Sequence, residues 1–175
     1  MAAEPAATGS NRPTEGSGGP IVAGVSPGQH AVVRRRAADL AAALGVELVC
    51  AYVDVTTFLV PEPDDGAHGG TNALLSGPTK IRDDAENAAA GLEALLAAEL
   101  DPLPLKWSFR VLEGEPARAL GRLAEELDAA MIVVGTREHS LGARFEELLI
   151  GSVAVHLTHR QGRPVLVVPV DARRT

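Results

Sequence analysis

Short apolar runs alternate along the chain with stretches of helical periodicity. "IVAGV" (Ile21–Val25) is wholly apolar and ends in Ser-Pro-Gly, as expected of a buried strand. From His30 to Leu44, the apolar Val32, Val33, Ala37, Leu40, Ala41 and Leu44 recur near helical spacing, and Gly45 supplies a stop. "ELVCAYV" (Glu47–Val53) reads as a second strand. Asp54 to Lys80 then carries Pro61, Pro63, Gly66, Gly69, Gly70, Gly77 and Pro78 and reads as a long excursion between regular elements.

The chain becomes helical again from Ile81 to Leu100 and stops at Asp101-Pro102. "LKWSFRVL" (Leu105–Leu112) alternates in part, with Trp107, Phe109 and Val111 on one face, which suits a strand near the edge of a sheet. Glu115-Pro116 opens a helix whose apolar stripe is Ala119, Leu120, Leu123, Ala124 and Leu127. "AAMIVVG" is a fourth strand, Val153 to Gln161 a helix, and "RPVLVVPV" a fifth strand. This alternation, with apolar central runs, predicts an α/β fold, a three-layer sandwich of parallel strands covered by helices on both faces. The crossovers should be right-handed. Ligands on such sheets bind beyond the carboxyl ends of the strands, which brings Gly24–Gly28, Val53–Thr57 and Gly135–Arg144 to one end.

Composition narrows the function. The 175 residues fit one domain, expected over 20–171, after a tail, 1–19, too poor in large hydrophobes to order itself. Aromatic residues make up only 3%, so the core must be built from Val, Leu, Ile and Ala. Lys+Arg 16 against Asp+Glu 23 gives a net charge of -7, which repels polyanions and argues against nucleic acid as a partner. No run is long and apolar enough to span a membrane, and the N-terminus lacks the apolar core of a secretory signal. A cytoplasmic location is the expectation. The single Cys50 sits in an apolar strand and reads as a small buried hydrophobe.

The stretch "VGTREHSLGARFEELLIGS" (Val134–Ser152) carries the candidate chemistry. Gly135-Thr136-Arg137 follows the fourth strand, and Gly151-Ser152 opens the last helix. Together with "IVAGVSPG", "AAALGVEL", the strand end "AYV" and "HLTHRQGRPVLVVP", this order resembles the universal stress protein family over roughly Pro20 to Val170. The resemblance implies a five-stranded parallel sheet of order 3-2-1-4-5 and a homodimer formed through the edge of the last strand. Some members of that family bind ATP through a Gly-x2-Gly-x9-Gly-Ser/Thr pattern, which makes ATP, with magnesium, the candidate ligand here. There glycines let backbone N–H groups approach phosphates, and a helix N-terminus adds partial positive charge. Carried across, the cofactor-binding residues are Gly24, Val25 and Ser26 at the end of the first strand and Val53 at the end of the second. After the fourth strand they are Gly135, Thr136, Arg137, Gly142, Gly151, Ser152, Val153 and Ala154.

The chain departs from that pattern. Glu138 stands at the second glycine position, and His139 to Ile150 is twelve residues where the pattern has nine. Counting from Gly142 leaves eight before Gly151. Ser26 replaces the family's aspartate at the end of the first strand. Arg137 and Arg144 favour a phosphate, and Glu138 is a candidate magnesium ligand. The competing reading is a plain strand-to-helix connection with Ser152 as an N-cap, in a homodimeric interaction module of the same fold that binds no nucleotide. No general base is placed to activate water, so the expectation is a binding protein, at most a slow ATPase.

Other features read as structural. His156 and His159 lie a helical turn apart without a third metal ligand. Arg34-Arg35-Arg36 reads as a solvated helix face, "PEPDD" as solvated loop acids, and Phe145, Leu148 and Leu149 as a short packing helix. His139 reads as a solvated loop residue, with contact to a bound anion as the alternative. A phosphoacceptor receiver, a dinucleotide dehydrogenase and a nucleophile-elbow hydrolase each need residues that "GVSPGQ" and the other strand ends do not supply.

Overall fold

The side-chain alternation of each strand divides its residues between the two faces of the sheet. The computed structural model describes residues 18–55, 78–136, 153–159 and 161–170. The expected tail apart from Gly18 and Gly19, the excursion from Thr56 to Gly77, and the Phe145–Leu149 helix lie outside them. In chain order the elements are β1 (Ile21–Val25), α1 (Ala31–Leu44), β2 (Leu48–Asp54), α2 (Pro78–Leu100) and β3 (Trp107–Glu113). They continue with α3 (Pro116–Glu126), β4 (Met131–Gly135), a short helix α4 (residues 153–159) and β5 (Val165–Val168).

All four strand pairings are parallel, and the order is β3-β2-β1-β4-β5. The parallel α/β sheet is the one the residue pattern predicts, and its order, 3-2-1-4-5, is the one the resemblance implies. On one face Ile21, Ala23 and Val25 of β1 pack with Val33, Ala37 and Ala41 of α1 and Leu92, Leu96 and Leu100 of α2. On the other, Val22, Ile132 and Val134 meet Leu120, Leu123 and Ala124 of α3 and Val153 and Leu157 of α4. β3 is an edge strand, as its weaker pattern suggested. Trp107 and Phe109 reach the core, whereas Val111 is 52% exposed.

Helix ends follow local chemistry. His30 precedes α1 and its Nδ1 accepts from the Val32 N–H at 3.2 Å, so it caps the helix rather than beginning it. Gly45, in the left-handed region at φ 66, closes α1 with its N–H on the carbonyls of Ala41 and Ala42. The Glu115 carboxylate accepts from Ala117 and Arg118 N–H, each at 3.0 Å, with Pro116 at the first helical position. α2 starts at Pro78, ahead of the expected Ile81, because proline at a first position gives up no intrahelical bond. Among the described residues no helix is long and apolar enough to cross a membrane.

One sequence expectation is corrected. Arg35 and Arg36 are exposed, but Arg34 is only 5% exposed. Its Nε and Nη2 donate to Glu99 of α2 at 2.9 Å each, and its Nη1 donates to the Gln29 carbonyl at 2.7 Å. Helical spacing turns Arg34 inward beside Val33, where a partner 65 residues away makes its burial tolerable.

Candidate functional site

The chain leaves β1 through Ser26-Pro27-Gly28-Gln29. The Gln29 N–H donates to the Ser26 carbonyl at 3.1 Å, Pro27 fills the second position and Gly28 the third with φ 75. That is a type II turn, whose third position needs the left-handed conformation that glycine adopts freely. The turn forms one lip of a cavity of about 340 Å³. The cavity lies beyond the carboxyl ends of β1, β2 and β4, at the point where the sheet order reverses across β1. Its volume falls in the lower part of the ~300–1,000 Å³ range of small-molecule sites.

The wall is mostly aliphatic. Val25, Val53, Val55, Leu120, Val134 and Val153 contribute apolar surface, and Ser26, Gln29, Tyr52 and Thr136 bring polar side chains. None of the described lining residues carries a charge. Such a wall suits a flat, uncharged group with hydrogen-bonding edges and offers no acid or base to it.

Local contacts show why particular residues stand here. A Cβ on Gly135 would meet Val33 Cγ2 at 2.8 Å, so glycine is required for α1 to pack against β4. A Cβ on Gly24 would stand 3.1 Å from Leu120 Cδ1 and 3.3 Å from Val134 Cγ1. Thr136 joins the ends of β4 and β5. Its N–H donates to the Val168 carbonyl at 2.8 Å, and its hydroxyl oxygen accepts from the Val170 N–H at 2.7 Å. The Gln29 Nε2 donates to the Gly24 carbonyl at 3.2 Å, while its Oε1 is buried with no partner. Behind the turn, the Arg34 hydrogen bonds hold the Glu99 carboxyl below its usual 4.5, against the opposing effect of partial burial.

Of the residues singled out in the sequence, Gly24, Val25, Ser26, Val53, Gly135, Thr136 and Val153 line this cavity. Ala154 instead packs against the core on the α3 side and takes no part in the wall. Arg137, Glu138, His139, Gly142, Gly151 and Ser152 lie outside the described residues. Val55 falls in the Val53–Thr57 stretch placed at this end, whereas Gln29, Tyr52, Ala88 and Leu120 belong to the wall without having been singled out. "SPGQ" carries a readable turn signal that places Gln29, whereas Ala88 arrives through the docking of α2, which no local pattern reveals.

Elsewhere, burial pushes the Cys50 thiol up to about 12, with nearby Arg34 opposing the shift. The thiol is 1% exposed and packs in the core. His156 and His159 lie on the exposed side of α4. Among the described residues, no group of three or more His, Cys, Asp or Glu side chains is arranged to hold a metal.

Comparison with known proteins gives a consistent picture. The model of the universal stress protein family matches residues 19–169. The stress response protein NhaX of Bacillus subtilis (strain 168) is 38% identical over 58 residues, 33% of this chain and 33% of that protein. The chain thus spans about a third of the length of the curated relative it matches. A universal stress protein from Archaeoglobus fulgidus, solved in complex with dAMP, has a TM-score of 0.52 at 23% identity, covering 85% of this chain and 96% of that one. A protein of the same family from Burkholderia pseudomallei has a TM-score of 0.60 at 24% identity, covering 87% and 96%. At these identities the structural likeness concerns the fold.

Proposed function

Because the chain belongs to the universal stress protein family, we propose that it is a stress-response protein that binds an adenine nucleotide in the cavity at the ends of β1, β2 and β4. The observation that carries this reading is the uncharged, largely aliphatic wall at the sheet's reversal point, lined by Val25, Ser26, Val53, Gly135 and Val153. A base buried there gains the hydrophobic contribution of its faces, roughly 25 cal/mol per Å² of apolar area removed from water. Ser26, Gln29 and backbone groups offer hydrogen bonds to its edges. The dAMP complex of the Archaeoglobus fulgidus protein supports the class of ligand. ATP, with magnesium, is the fuller form of the proposal. Its phosphate half rests on the sequence alone, through Arg137, Gly142, Gly151 and Ser152.

The proposed mode of action is binding and signalling. Calorimetric titration with AMP, and with ATP and magnesium, tests the reading. Saturable heat below millimolar nucleotide is expected, and its absence for both ligands removes the proposal.

A second reading draws on a different observation. β5 is a free edge on which Leu166 is 40% and Val167 37% exposed. With Leu40 and Ala43 of α1 these residues line an open apolar groove. Pairing of two copies through β5 would cover both the edge and the groove. A homodimeric interaction module without nucleotide is therefore the alternative, and the same titrations decide between them.

A further inference from the structure

Building on the adenine-nucleotide reading above, we infer that Gln29 reads the base. Its side-chain oxygen accepts a hydrogen bond from the 6-amino group of adenine, so the site selects aminopurines over purines lacking a donor there. The starting observation is the Gln29 Oε1. Among the described residues it is the one buried side-chain nitrogen or oxygen without a hydrogen-bond partner, and its residue lines the cavity.

The residue is held firmly at its base and loosely at its tip. Its N–H is bound to the Ser26 carbonyl at 3.1 Å, and its own carbonyl accepts from Arg34 at 2.7 Å. The carboxamide is tied only through Nε2 to the Gly24 carbonyl, at the long distance of 3.2 Å. The terminal torsion of a glutamine is broad and soft, so the carboxamide can turn its oxygen towards the cavity.

A buried acceptor without a partner is unfavourable, and a ligand N–H that reaches it relieves the deficit. The 6-amino group of adenine is such a donor, beside a ring nitrogen that accepts, and this pair complements a carboxamide. A purine bearing hydrogen at that position presents only acceptors and leaves the oxygen unpaired. With no charged side chain in the described wall, no stronger polar group competes for the amine.

The test titrates AMP and purine riboside 5′-monophosphate, which lacks only the amino group, into the wild-type protein and into Gln29→Met. A preference of ~5- to 150-fold for AMP is expected in the wild type, from the discrimination that a matched carboxamide–adenine pair supplies. Gln29→Met should bind both nucleotides alike, near the wild-type affinity for the purine analogue. Circular dichroism checks that the variant folds. Should it not, Gln29→Asn, which withdraws the carboxamide by one methylene, serves the same comparison. Equal binding of both nucleotides by the wild type, or a preference that survives in the variant, overturns the role of Gln29 and leaves the nucleotide reading standing. Failure of the wild type to bind either nucleotide removes both.

Discussion

Glu99→Gln isolates the contact that fixes the rim of the cavity. In the wild type, Arg34 makes two hydrogen bonds to the Glu99 carboxylate and one to the Gln29 carbonyl. Arg34 is 5% exposed and the Glu99 side chain 29%. Removing one member of a fully buried pair costs ~3–5 kcal/mol, because the remaining charge is stranded. Water reaches Glu99 and softens that penalty, so a loss of about 2–3 kcal/mol is expected. At ~2–4 °C per kcal/mol for a domain of this size, the midpoint of thermal unfolding falls by about 4–12 °C.

The effect also depends on pH in a defined sense. Glu99 titrates lower in the folded state than its ordinary 4.5 because Arg34 hydrogen-bonds its charged form. Its stabilising contribution is therefore complete above the unfolded value and fades as pH falls through the folded one. Urea unfolding at pH 7 and at pH 4 and below, for both proteins, is the assay. The gap between wild type and Glu99→Gln should narrow in acid. A loss below about 0.5 kcal/mol at pH 7, typical of a solvated surface pair, would show that the pair holds nothing in place.

Three further outcomes follow from the packing and the sequence. Gly135→Ala places a Cβ 2.8 Å from Val33 Cγ2 and should destabilise by about 1–3 kcal/mol in urea unfolding, with Val33→Ala added to it recovering part of the loss. On the proposed pairing of two copies through β5, Val167→Asp, which sets a charge on that exposed edge, should shift sedimentation from dimer to monomer without changing circular dichroism. Glu138→Gly removes a negative charge from the Gly-rich pattern and should tighten ATP more than AMP in calorimetry, by up to about tenfold.

The fold was readable because its signals are local. Apolar runs such as Ile21–Val25 and Met131–Gly135 state burial directly, Gly45 closes α1, and Glu115-Pro116 opens α3. The edge position of β3 showed in its broken alternation. What escaped is set by distant partners. Arg34 looks like one of three solvated arginines until Glu99, far along the chain, comes to meet it. Gln29 looks like an ordinary loop residue because its unpaired oxygen is a property of the assembled wall. Gly135, singled out for phosphate, has an equally strong reason in helix packing, and no sequence pattern separates the two.

Backbone amide shifts followed by NMR during titration with ATP and magnesium test the central claim most directly. Progressive, saturable changes should centre on Gly24–Gln29 (Pro27, without an amide, excepted), Tyr52–Val55 and Val134–Thr136, the three strand ends that line the cavity. A spectrum unmoved at millimolar nucleotide, or changes confined to α1 and β5 around the second groove, would contradict it.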